Sequence, residues 1–110
     1  MAKYEYRFQG DFDRSLRLLH DGILSGSITA SYEEGSDCSM DGVRCAVRVY
    51  ERYSMAGGNR LSLTVTLMGR GRDLFLSAIA AGGSQGMFLK FNTWGEEAFL
   101  DRIRELAGSL

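Results

Sequence analysis

Three guanidiniums, Arg44, Arg48 and Arg52, recur at every fourth position in the run Val43 to Tyr53. In an extended chain they share one face, and such a ladder of fixed cations could hold a phosphate or carboxylate or touch a nucleic-acid backbone. Arg60, Arg70 and Arg72 stand as further contributors. The plainer use of the ladder is cross-strand pairing with glutamates such as Glu5, Glu33 and Glu51, at about 0.2 to 1 kcal/mol a pair.

Other segments imitate known chemistry and stop short of it. Asp37-Cys38-Ser39-Met40-Asp41-Gly42 carries oxygen ligands at its first, third and fifth positions and glycine at its sixth, like the opening of a calcium loop. Position twelve is Arg48, where calcium needs a bidentate glutamate, so Glu33, Glu34, Asp37 and Asp41 read as a solvated polar loop. Gly82-Gly83-Ser84-Gln85-Gly86 could offer backbone amides to a phosphate, but it lacks the Lys-Ser/Thr of a P-loop and reads as a bulged turn. His20 sits beside Asp21 without a second positioned group for acid–base work, and a part-buried, hydrogen-bonded role is expected of it. Cys38 and Cys45, separated by six residues, match neither a C-x-x-C pair nor a zinc knuckle and read as two free thiols. Cys45 is expected to fill core space, and Cys38 lies in an acidic segment, the reverse of the setting that activates a nucleophile. Trp94 is expected to cover the end of the core. No catalytic, cofactor-binding or metal-ligating residue is therefore assigned, and a non-enzyme is expected.

The 110 residues, 45% hydrophobic and 25% charged, fit one domain over residues 1–110. A net charge of -1 gives no basic excess, so nucleic acid is not an expected partner. Met1 to Arg7 alternates charged and aromatic residues where a signal peptide would be apolar, and no window suits a bilayer; a cytoplasmic location without membrane attachment is expected.

These side chains must be positioned by an α+β fold. Lys3 to Phe8 alternates as a strand with Tyr4, Tyr6 and Phe8 inward. Asp11 can cap a helix whose Phe12, Leu16, Leu19 and Ile23 form one stripe; it should end near Gly26, weakened by Gly22. Ser27 to Glu33 reads as a strand with Ile28, Ala30 and Tyr32 inward, followed by a polar loop from Glu34 to Gly42. In the next strand Val43, Cys45, Val47 and Val49 are read as the core face and the arginines as the outer face. Arg60 to Met68 puts Leu61, Leu63, Val65 and Leu67 inward, and a hairpin tip at Gly69 to Asp73 leads to a strand from Leu74 to Ala81. Met87 to Phe91 reads as a sixth strand. Thr93-Trp94-Gly95-Glu96 has capping-box spacing before a helix with Phe99, Ile103 and Leu106 on one stripe. The expected fold is an antiparallel sheet of five to six strands with two helices on one face, ordered β-α-β-β-β-β(-β)-α.

That order resembles the β-α-β4-α plan of the TATA-binding-protein-like and helix-grip folds, which implies a curved sheet covered on one side. The stretches Asp41 to Ser54, Gly82 to Gln85 and Asn92 to Leu100 resemble those of a family of small uncharacterised bacterial proteins defined only as a domain of unknown function. The resemblance implies no activity, cofactor or site residue.

With Leu74, Leu76, Ala78 and Ala80 toward the helices, Phe75, Ser77, Ile79 and Ala81 face away, joined by Phe88. An apolar patch flanked by arginines and hydroxyls has the composition of a protein interface. Phe75, Ile79, Phe88 and Ala81 are thus the candidate interface, and Arg44, Arg48 and Arg52 the candidate anion site. The expected function is a small interaction module that forms a homodimer through its outer sheet face. The alternative is a carrier of a small apolar ligand, held in a cavity between the second helix and the sheet.

Overall fold

A computed structural model describes residues 1–53, 60–82 and 89–110, with side chains in the last segment from 96 onward. The elements run β1 (Ala2–Gln9), α1 (Phe12–Ser25), β2 (Ser31–Met40), β3 (Val43–Tyr53), β4 (Arg60–Arg70), β5 (Asp73–Gly82) and α2 (Leu89–Ala107). The five strands make one antiparallel sheet in the order β1-β5-β4-β3-β2. The first strand thus pairs with the last, Ala2 opposite Ala80 and Phe8 opposite Leu74, while β2 to β5 form a continuous meander.

Both helices pack their apolar stripes on one sheet face. Phe12, Leu19 and Ile23 of α1 and Phe99, Leu100 and Ile103 of α2 are buried with Leu61, Leu63, Val65 and Leu67 of β4 and Leu74, Leu76, Ala78 and Ala80 of β5. Tyr4, Tyr6 and Phe8 flank this core, half-buried and stacked in series along β1. Asp11 caps α1 as its sequence position suggests, its Oδ2 accepting from the Arg14 amide at 2.9 Å. Gly22 does not interrupt α1. A Cβ there would collide with Leu106 of α2, so the missing side chain is what lets the helices approach. Arg102 of α2 fastens the contact by donating from Nε to the Gly22 carbonyl at 3.0 Å.

Several sequence expectations are corrected. Ile28 and Ala30 precede the strand instead of opening it, and Ile28 is fully exposed. The expected polar loop from Glu34 is mostly strand: β2 extends to Met40 and turns on Asp41-Gly42. Positive φ at both turn residues, 51° and 80°, makes this a type I′ hairpin, for which Asp-Gly is the favoured pair. Its polar composition masked it, because β2 is an edge strand exposed along nearly its whole length. The sixth strand is absent over Leu89 to Phe91, which belong to α2; Met87 and Phe88 lie outside the described residues. Thr93 therefore lies within α2 instead of capping it, and the surroundings of Trp94 fall outside the described side chains. Glu96 is buried, accepts from the Gly82 amide at 2.6 Å, and lies 2.6 Å from the Met1 amine, so it ties the end of β5 to the start of β1.

The largest correction concerns the faces of β3. Ala46 and Tyr50 are buried against the helices at 0% and 1% exposure, pairing with Leu67 and Leu63 of β4. Period two then puts Arg44, Arg48 and Arg52 on this covered face, and Val43, Cys45, Val47 and Val49 on the open one. The arginines fit because their long stems cover apolar surface while their heads reach partners at the sheet margin.

Among the described residues Tyr50 is the largest fully buried side chain, and its hydroxyl is satisfied by Nδ1 of His20 at 2.8 Å. The part-buried, hydrogen-bonded role expected of His20 is thus found. Its ring also meets Tyr32 edge-on at 5.4 Å. Tyr32, expected inside, is 44% exposed and covers only the margin of the core.

Two measurements check this arrangement. Ala46→Asp buries a charge without a partner and should abolish cooperative folding, whereas Val47→Asp should keep a cooperative denaturant transition and the far-ultraviolet spectrum of the sheet. Equal losses would return Val47 to the core. Burial pushes the Tyr50 hydroxyl up to about 12 from its ordinary value of 10.0. The fold favours the neutral phenol, so this contribution is whole below pH 10 and is lost as pH rises from 10 to 12. Tyr50→Phe should lower stability at neutral pH by about 1 to 2 kcal/mol and flatten the alkaline loss, as read by urea melts across that range.

Candidate interface on the open sheet face

Every strand contributes to the face that carries no helix, and register shows which side chains stand together. One row across the sheet is Cys38, Cys45, Met68, Phe75 and Arg7; the next is Ser36, Val47, Thr66, Ser77 and Glu5; a third is Glu34, Val49, Thr64, Ile79 and Lys3. Val43 and Met40 close the patch at the β2–β3 turn. β3 and β5 bring Val47, Val49, Phe75 and Ile79, the central strand β4 brings Thr64 and Thr66 with Met68, and the charged residues lie on the margins; β-branched side chains suit such a pleated surface. Met68 at 43%, Ile79 at 38% and Met40 at 69% exposure are large apolar groups left open to solvent.

Two predicted interface residues, Phe75 and Ile79, stand on this face with Ala81 beyond them, as their alternation with Leu74, Leu76, Ala78 and Ala80 requires. Phe88 lies outside the described residues. The Arg7 guanidinium sits over the Phe75 ring at 5.4 Å from its centroid. Around this contact Gln9, Val43, Met68, Arg70 and Asp73 frame a shallow groove of about 640 Å³. On the margin Gln9 donates to Asp73 at 3.0 Å, and Arg60 pairs with Glu51.

The β3 valines, Cys45 and Met68 were missed as members of this patch. Their alternation was plain, but alternation alone does not say which face is inward. The available signal was the company of the arginines: Ala46 and Tyr50 lie on their face, and a tyrosine among arginine stems is a common way to build a covered margin.

On the opposite face each arginine of the ladder has its own setting. Arg44 makes a bidentate pair with Asp13 of α1, at 2.9 and 3.1 Å, and lies over Phe12 at 4.2 Å. That hydrogen-bonded pairing lowers the Asp13 carboxyl and raises the Arg44 guanidinium from their ordinary values. Arg48 donates to Asp37 at 3.0 Å and to the carbonyls of Val47 and Ser36. Arg52 lies over Phe99 at 4.3 Å, and burial lowers its guanidinium. The three heads are thus spread over two helices and the β2 edge, whereas the sequence suggested one outward ladder. Between α1 and the β2–β3 hairpin a cleft of about 550 Å³ is lined by Arg17, His20 and Asp21 together with Asp13, Asp37 and Arg48. Its cations and carboxylates largely neutralise one another, and His20 already spends Nδ1 on Tyr50.

Among the described residues no cluster of three His, Cys, Asp or Glu side chains could hold a metal ion, and no helix is long and apolar enough to cross a membrane. No curated protein matches this chain in sequence. The model of DUF6054, a family of unknown function, matches residues 1–110, and the chain belongs to that family.

Proposed function

We propose that this protein is a non-enzymatic interaction module that forms a homodimer by packing its open sheet faces together. The single observation that carries this reading is the inversion of β3, which adds Val43, Cys45, Val47 and Val49 to Met68, Phe75 and Ile79 on a face without helices. An apolar sheet face normally packs on another layer, and a second sheet about 10 Å away is the simplest one available.

Size and charge favour a second copy of the chain. Five strands about 4.8 Å apart, each about ten residues long at a 3.3 Å rise, give a face of roughly 800 Å². A standard interface takes about 800 Å² from each partner. A two-fold axis along the central strand β4 sets β1 of one copy over β2 of the other. Lys3 on β1 then comes near Glu34 on β2 twice over, once on each side of the axis. The competing geometry, strand addition at the β2 edge, is opposed by Glu33, Glu34 and Asp37 and by the irregular register between Tyr32 and Glu34. The alternative of a ligand carrier is less supported. Phe99, Leu100 and Ile103 of α2 pack with Leu63, Leu76 and Ala78 in one buried cluster where a carrier would keep its cavity.

Light scattering coupled to size exclusion at micromolar concentration should give a dimer for the native chain. Phe75→Asp and Ile79→Asp should give folded monomers, because association would desolvate two like charges near the axis while the free chain only exposes a carboxylate. A monomeric native chain would overturn the proposal and move the groove beside Phe75 to the front as a site for a small apolar ligand. Variants that unfold instead of dissociating would mean that β5 is buried on both faces.

A further inference from the structure

Cys38 and Cys45, which look unrelated in the sequence, stand directly opposite each other in the β2–β3 hairpin. We infer that they form a thiol–disulfide exchange site, closing to a reversible cross-strand disulfide when met by a small disulfide of the glutathione class. The inference rests on the register of one hairpin and not on the dimer; because both cysteines lie on the open face, exchange takes place on the free chain, and the proposed dimer would slow it.

The turn determines the geometry. Met40 and Val43 flank the two-residue turn and form its hydrogen-bonded closing pair, and pair types alternate from there. Cys38–Cys45, two pairs further on, is again of the hydrogen-bonded type, with a Cα separation of about 5.5 Å. That is inside the span of about 4.4 to 6.8 Å that a disulfide bridges. Being directly opposite on antiparallel strands, both side chains project from the same face.

The same geometry makes the bond labile. Opposed Cβ atoms in a sheet lie about 4.5 to 5.5 Å apart, whereas a disulfide favours about 3.5 to 4.5 Å, so closure must draw the strands slightly together. β2 can yield, because it is an edge strand paired only with β3 and exposed along nearly its whole length. The loop closed is short, so the bond constrains the unfolded chain little, and residual strain favours reduction. A bond of this kind switches with the surrounding thiol pool instead of locking permanently.

Exposure orders the two steps. Cys38 is exposed and Cys45 half-buried, and both are free thiols in the structure. Cys38 Sγ, as thiolate, attacks one sulfur of the glutathione disulfide, forming a mixed disulfide and expelling one glutathione thiolate. Cys45 Sγ, having lost its proton to solvent, then attacks Cys38 Sγ and expels the second thiolate. The two cysteines are oxidised by two electrons, the glutathione disulfide is reduced to two thiols, and the two protons released by the cysteines end on those thiols.

The test treats the full chain in native buffer with oxidised glutathione, followed by acid quenching, maleimide labelling and intact mass. The native chain should lose two hydrogens, keep its monomer mass on denaturing analysis and take up no maleimide; excess reduced glutathione should restore both thiols. In Cys45→Ser the glutathione adduct on Cys38 should persist, decaying at least about tenfold more slowly than in the native chain because no opposed thiol resolves it. The oxidised protein should retain its far-ultraviolet spectrum, with slower amide exchange over residues 38–45. A stable glutathione adduct on the native chain, a disulfide between two chains, two thiols that remain free, or loss of the sheet on oxidation would each overturn the inference.

Discussion

Packing of β3 against β4 pairs Ala46 with Leu67 and Tyr50 with Leu63, and most of the molecule follows from that register. Because period two allows no compromise between faces, burying Ala46 and Tyr50 commits three arginines to the helix side and three valines with Cys45 to the other. A strand with this composition is amphipathic in an unusual sense. Its charged side is the covered one, with the Arg44 and Arg52 guanidiniums lying over Phe12 and Phe99, and its aliphatic side is open. The shape of α1 follows: Asp13 in its first turn receives Arg44, and His20 on its flank receives the Tyr50 hydroxyl.

Where burial and polarity agreed, the sequence was easily read. The stripes of α1 and α2, the inward leucines of β4 and β5, the capping role of Asp11 and the open position of Phe75 and Ile79 all follow from simple periodicity. The element order and one-sided helices followed from the same patterns. β2 is obscure in the sequence because an exposed edge strand has no apolar alternation to reveal it, and Asp41-Gly42 resembles a calcium-loop fragment although its stronger meaning is a hairpin turn. Spacing alone suggests a cap for Glu96. The structure gives its carboxylate to the Gly82 amide and the Met1 amine, contacts between distant segments that no local motif announces.

The candidate interface was half legible for the same reason. β5 declared its outward residues because its inward ones are uniformly small or aliphatic, whereas β3 offered two plausible faces. Hydrophobicity favoured the wrong one, since valine is an ordinary core residue and arginine an ordinary surface residue. The deciding information was the presence of aromatic rings on the helices, over which arginine could lie, and those rings come from segments far away in the chain. The cysteine pair was hidden by the same kind of distance, this time between sequence spacing and hairpin register.

The pairing of β1 with β5 shapes how the chain reaches this state. During synthesis Tyr4, Tyr6 and Phe8 emerge first, but the strand that receives them emerges after β2, β3 and β4. The meander from β2 to β5 can zip from its tight turns through local contacts, whereas β1 must close a loop of more than half the chain. On the nascent chain β1 is therefore an unpaired aromatic strand for most of translation, and its docking is the step that turns a nascent meander into a closed core.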